Sequence, residues 1–303
     1  MQNRAQSLMP VAPHPETALP SPALLRRVPS PAEGGGRAAH LPTVSPAIRR
    51  FMVAWFERYL HRHLDALRLP LWSTPPDRGH RGPIVVYCNH PAWWDAALII
   101  VLAGRLYPER PSRAPFDAAM LARYRIFERI GAFGVDLDSP RGAGQFLAAA
   151  RTILAAPDGM LWITAQGRFA DARARPLALR PGVARLAEIA PDALFVPMAV
   201  EYAFWDERGA GAFAAFGAGI PASDLAALPR PQRLARLEAD LTATLDRLSA
   251  DVISREPARF RALVSGRKGV GGIYDLWRGL AARLSGRRFD PAHRAADGQD
   301  RAA

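Results

Sequence analysis

The sequence holds a single cysteine, Cys88, and a single lysine, Lys268. One thiol excludes an internal disulfide and any cysteine-rich metal site, and it fits a reducing compartment. The lack of lysine makes the formal charge of +12 almost wholly arginine. Together with abundant alanine this is a compositional bias, so one arginine alone says little about phosphate binding. A charge of that sign still favours anionic partners such as phospholipid headgroups, nucleotide phosphates or nucleic acid. No uncharged apolar run reaches the roughly 18 residues expected of a spanning helix. The nearest run, 96–103, is short and follows Asp95. The N-terminus lacks the apolar stretch of a secretory signal. No internal repeat is visible, and no pattern of basic and aromatic residues matches a nucleic-acid module.

What is present is a substantial core. Hydrophobic residues make up 49% of the 303 positions, which suits one large α/β domain with extensions or two smaller domains. Residues 1–45 are rich in Pro, Ala, Ser and Gly without a hydrophobic period, the signature of a disordered tail. From Ser45-Pro46 onward, Ile48, Phe51, Met52, Trp55, Phe56, Tyr59, Leu60, Leu64 and Leu67 recur at three- and four-residue spacing. The reading is an amphipathic membrane-surface helix within 46–76, with arginines between its aromatics. A helix packed on the protein's own core would show the same stripe.

Ile84-Val85-Val86-Tyr87-Cys88 is β-branched and apolar throughout, as a strand buried on both faces would be. Helical patterns follow at 96–107, 118–130 and 144–155. Short strands are expected at 135–137, 160–164 and 194–200, and longer amphipathic helices at 233–252 and 273–284. The alternation predicts an α/β fold with a central mixed, largely parallel sheet flanked by helices. The expected organisation is a catalytic domain over 77–225, a helical extension over 226–290 and a disordered tail over 291–303. Gly266-Arg267-Lys268-Gly269 resembles a phosphate loop only loosely, with no preceding strand and no Lys-Ser/Thr ending.

The chemistry concentrates after the first core strand, in Asn89-His90-Pro91-Ala92-Trp93-Trp94-Asp95. Residues five apart in one helix diverge by about 140°, so His90 and Asp95 would not meet there. They meet if His90 lies in a strand-to-helix turn and Asp95 in the helix's first turn. Pro91, tolerated at a helix start, supports that arrangement. A carboxylate on one imidazole nitrogen fixes the tautomer and leaves the other nitrogen to take a proton from a hydroxyl. General-base help of that kind is worth about 10²–10⁴-fold. Alone, the pair is also compatible with a turn and a helix cap. Trp93 and Trp94 could touch an acyl chain or simply pack, and Cys88 within its strand reads as an inert thiol.

Asn89-His90-x-x-x-x-Asp95 resembles the signature of the glycerolipid acyltransferases, the family of bacterial 1-acylglycerol-3-phosphate acyltransferases. Three further blocks follow in order. Leu161-Trp162-Ile163-Thr164-Ala165-Gln166-Gly167-Arg168 resembles the Phe-Pro-Glu-Gly-Thr-Arg block. Leu179-Arg180-Pro181-Gly182 resembles the Lys-x-Gly helix start. Val196-Pro197-Met198-Ala199-Val200 resembles the Val-Pro-Val block. The resemblance spans roughly 84–221. It implies transfer of a fatty acyl group from acyl-CoA or acyl-carrier protein to a hydroxyl of a lysophospholipid or related lipid. His90 would act as base, Asp95 would orient it, and Gln166, Gly167, Arg168, Arg141 and Arg180 would bind substrate polar groups. It implies no metal and no bound redox cofactor, and a peripheral place on the cytoplasmic face of the membrane.

The sequence departs from the family at two points. Gln166 stands where a glutamate is usual, and Asp136 and Asp138 occupy a region where the family usually has an arginine for the acceptor's phosphate. Carboxylates there would repel a phosphate. Two other functions remain compatible with the residues: an acyl thioester or ester hydrolase, with water in place of the alcohol, and a non-catalytic basic lipid-binding protein.

Overall fold

The computed structural model of the chain describes residues 41–76, 80–136 and 139–266. The tail over 1–40, Asp138, the helix expected at 273–284 and the tail at 291–303 lie outside them. The described residues form a mixed nine-stranded sheet with helices on both faces, so the expected α/β class and the central mixed sheet are found.

Helix α1 (Pro46–His63) begins as the sequence suggests. The Ser45 hydroxyl accepts from the Ile48 amide, and Pro46 sits where a missing N–H costs nothing. Its Met52, Phe56 and Leu60 are buried, while Phe51 is 65% and Trp55 46% exposed. The helix therefore packs on the core and still shows aromatics outward. It ends earlier than its periodicity predicts. Leu64 closes the last turn, and Leu67 belongs to strand β1 (Ala66–Pro70). Three-residue spacing continued across the break by coincidence, and the backbone leaves the helix where the Asp65 amide donates to the Ala210 carbonyl.

Strand β2 (Ile84–Cys88) is buried at every position. It lies between β5 (Met160–Thr164) and β6 (Leu194–Ala203), parallel to both. Ile84, Val86 and Cys88 face a core layer with α1 and helix α2 (Asp95–Leu106). Val85 and Tyr87 face the opposite layer, with helices α4 (Pro140–Leu154), α5 (Gly182–Ile189) and α7 (Arg230–Ser254). Strict alternation between two buried faces explains why the segment reads as a continuous apolar run.

Strand β3 (Ser112–Asp117) pairs with β5 and with β4 (Ala132–Val135), again parallel. Strand β7 (Gly211–Phe216) runs antiparallel to β6, β1 runs parallel to β7, and β9 (Phe260–Ser265) closes that side antiparallel to β1. The short β8 (Ile220–Pro221) pairs with β6, and helix α6 (Ala222–Ala226) follows it. The helix expected over 118–130 is two pieces: α3 (Ala118–Arg123) and a 3₁₀ segment at Arg125–Ile130, divided at Tyr124. The strand expected at 135–137 lies earlier, at β4, because Gly131 turns the chain in a left-handed conformation and pairing starts at once.

The segment 226–265 is not purely helical. Helix α7 is followed by β9, which joins the sheet. The long α7 lays Leu237, Leu241, Leu245 and Leu248 into the core layer over β6. Arg233 is buried at its start and satisfied on all sides, donating to the carbonyls of Ala184, Leu225, Ala226 and Leu228 and to Glu188.

Candidate active site

The strands β4, β3, β5, β2 and β6 share one direction, so their carboxyl ends lie along a single edge of the sheet. Open α/β sheets bind ligands at such an edge. The segment after β2 carries His90 in a turn, and α2 starts at Asp95. The two meet as their spacing predicts: His90 Nδ1 lies 2.6 Å from Asp95 Oδ2. Pro91 is not the first helical residue, however. It sits in the turn itself, four residues before the helix.

Asp95 is fully buried, which makes its partners decisive. Oδ2 also accepts from the Ala92 amide at 3.1 Å, and Oδ1 accepts from the Tyr202 hydroxyl at 2.7 Å. The carboxylate also occupies the first turn of α2, where a negative charge suits the helix dipole. The His90 side chain is 20% exposed, and its Nε2 makes no hydrogen bond among the described residues. One ring nitrogen is thus anchored and the other is open.

Four residues hold this turn. Asn89 is buried and exchanges two 2.8 Å bonds with the backbone of Val200, one to its carbonyl and one from its amide. An asparagine side chain thereby extends the sheet pairing between β2 and β6 by one step. Gln166, also buried, accepts from the His90 amide at 2.8 Å and donates to the Leu177 carbonyl at 2.8 Å. Both ends of its amide are used within the chain, a holding role distinct from the substrate contact expected of it. The role needs a group that accepts on one side and donates on the other; an ionised glutamate only accepts. Finally, the Ala170 amide donates to the His90 carbonyl at 3.0 Å, and the Phe169 ring lies 4.3 Å from the imidazole, centre to centre.

Gly167 shapes the loop after β5. Its φ of +61° is left-handed, and a Cβ there would collide with the Arg180 guanidinium. Arg180 donates to the Gly167 carbonyl at 3.3 Å, so these two expected site residues are brought together beside the His90 turn. Arg168 is exposed next to Phe169. Arg141 makes no hydrogen bond or ion pair with the His90 turn among the described residues: it is exposed in the first turn of α4, the helix that follows edge strand β4. That strand stands three places from β2, about 14 Å across the sheet at the usual strand spacing. Asp136, exposed at the end of β4, lies on that same side.

Burial, with the Asp95 charge and hydrogen bond added, pushes the Tyr202 phenol well above its ordinary range, so it is a donor. Burial first and the Asp95 charge second do the same to the Cys88 thiol, which keeps it protonated and unreactive, as its strand position implies. Among the described residues no three His, Cys, Asp or Glu side chains gather as metal ligands would.

Sequence reasoning missed Tyr202 and the holding role of Asn89. The signal for Tyr202 was available: it lies two residues beyond Val200 in the same strand, on the same face. Trp93, in the turn itself, is 62% exposed, and Phe169, against the imidazole, is 60% exposed. Trp94 instead packs on Tyr59 of α1, at 5.4 Å between ring centres, and Tyr59 stacks on Trp55. No family model matches this chain, and no curated protein matches it either.

Proposed function

We propose that the protein is an acyltransferase that moves a fatty acyl group from a thioester donor, acyl-CoA or acyl-carrier protein, to the hydroxyl of a lysophospholipid or related lipid. The observation that carries this reading is the buried, triply bonded Asp95 holding His90 by Nδ1 while Nε2 stays open at the sheet edge. Nε2 accepts the proton of the acceptor hydroxyl as its oxygen attacks the thioester carbonyl. A carbon–oxygen bond forms, the carbon–sulfur bond breaks, and the imidazolium returns its proton to the departing thiolate. The sulfur leaves readily because a thiol's pKa is only about 8.5. No nucleophile from the protein is required. The four sequence blocks that resemble the glycerolipid acyltransferases support the same reading.

Exposed Arg168, with Arg180 laid over Gly167, is suited to anionic groups of donor or acceptor. Asp136 argues against an acceptor that places a phosphomonoester near β4. Exposed Trp93 and Phe169 at the site and Phe51 and Trp55 on α1 support contact with a membrane surface. Among the described residues no helix is long and apolar enough to cross a bilayer.

The test is acyl-CoA turnover by the full chain with and without a panel of lysolipids on vesicles. Acceptor-dependent loss of thioester that disappears in His90→Ala is the expected result. Equal turnover without acceptor would convert the assignment to hydrolase, and wild-type-like lipid binding without any turnover would remove the enzyme.

A further inference from the structure

We infer that Tyr202 is a positioning residue for the His90–Asp95 pair, acting through the carboxylate and not on substrate. The inference rests on reading His90 as the base. Tyr202 comes from the far end of β6, 107 residues from Asp95, and its hydroxyl donates to Oδ1 at 2.7 Å. The other oxygen, Oδ2, takes both His90 Nδ1 and the Ala92 amide. Each oxygen therefore has its own fixed donor, from a strand on one side and from the catalytic turn on the other. A carboxylate held at one oxygen alone can rotate about its Cβ–Cγ bond; held at both, it presents Oδ2 to the imidazole in one orientation.

The placement of Tyr202 is itself prepared. Asn89 clamps β2 to Val200 through two hydrogen bonds, and Tyr202 follows two residues later on the same side of β6. The clamp thus sets the register at which the phenol meets Asp95. The phenol is buried and kept protonated by burial and by the neighbouring charge, so it serves only as a donor. A phenylalanine would keep the ring and lose the bond. Among the side-chain donors to Asp95 in the described residues, Tyr202 is the only one outside the pair itself.

The experiment uses the full chain labelled with ¹⁵N-histidine. The proton of the His90 Nδ1–H···Oδ2 bond is observed by NMR and assigned by its disappearance in His90→Gln. In Tyr202→Phe this resonance is expected to move upfield and broaden, while circular dichroism stays that of the wild type. Placing 3-fluorotyrosine at 202, which keeps ring and hydroxyl, is expected to keep the resonance sharp. In the acyl-transfer assay kcat of Tyr202→Phe is expected to fall between about 10-fold and 10²-fold, the scale of a misplaced catalytic group, with KM unchanged. On an Asp95→Asn background the same change is expected to cause no further loss.

An unmoved resonance, no resonance in the wild type, or a loss in KM alone overturns the inference. A Tyr202→Phe protein that fails to fold leaves the fluorotyrosine variant to decide: a resonance that broadens with the hydroxyl still present also overturns it. If the resonance responds as expected but the wild type transfers no acyl group, the positioning role stands and the proposed reaction falls.

Discussion

Two carboxylates of this protein make opposite uses of their hydrogen bonds. Asp95 is fully buried and takes donors from three places: the imidazole of His90, the amide of Ala92 and the phenol of Tyr202 on β6. Asp171, in the exposed loop after β5, is bonded by the backbone and guanidinium of one residue, Arg173, two positions along. Both are well supplied with donors, yet only the first ties distant parts of the chain together. Asp171 is held well below the usual carboxylate range, chiefly by its side-chain bond to Arg173, while lying in water where such a pair contributes little to stability. The strong shift at Asp171 thus reflects a local pair and joins no distant elements, whereas the bonds of Asp95 link α2, the His90 turn and β6.

The widest gap between the two sites should appear on removing the pair. His90→Ala and Asp95→Asn are expected to lower kcat by about 10³-fold or more, as for other bases that depend on an oriented imidazole, with circular dichroism unchanged. Steady-state assays with saturating acceptor measure this, and activity within tenfold of wild type would place Asp95 in the same class as Asp171.

Gln166→Glu sharpens the contrast from the supporting shell. The Leu177 carbonyl loses its donor and an acceptor-only group is buried, so unfolding in urea should show a loss of about 1–3 kcal/mol, with a lower kcat as the His90 turn loosens. Full stability in Gln166→Glu would show that the amide's two-sided bonding is not what holds the turn.

A smaller effect is expected at Glu188, a surface carboxylate bonded to Arg230 and to buried Arg233. The Arg230 bond, ahead of the others, brings its carboxyl down to about 2. The folded value lies below the unfolded one, so its stabilisation is present above pH of about 4.5 and fades as pH falls toward 2. Glu188→Gln should flatten the acid limb of a Tm-versus-pH curve in that window, modestly because the group is partly solvated. Asp171→Asn completes the series: Tm and turnover should match wild type, and a drop in turnover would make the loop after β5 a working part of the site.

The strands that sequence made plain are those buried on both faces, β2, β5 and β6, where a short apolar run rich in β-branched and aromatic residues fits an interior strand and little else. The strands it hid lack that signature, and β8 is only two residues long. Strand β7 is Gly211-Ala212-Phe213-Ala214-Ala215-Phe216, too poor in β-branched residues to declare itself. Strand β3 carries Pro115, β1 continues the spacing of the preceding helix, and β9 holds an exposed arginine. At the site, His90 and Asp95 were legible because five-residue spacing restricts how two side chains can meet. Gln166 was placed correctly in the loop but its partners were not, since those lie 76 and 11 residues away and depend on strand order. Tyr202 could be placed on the right face of β6, but its bond to Asp95, 107 residues away, depends on the same strand order. Arg141 was drawn in by nearness in sequence to an acidic stretch; it stands in the helix after β4, the strand three places from β2.

Strand β1 shows how the order of synthesis bears on assembly. It is stitched to β7 on one side and β9 on the other, partners some 145 and nearly 200 positions later in the chain. As the ribosome delivers the protein, α1 can meet α2 early, but β1 must wait with both of its edges unpaired until residues 211–216 and then 260–265 have emerged. Contacts of such long separation fold slowly. A holdase that covers the open edges of β1 would protect the chain through that interval.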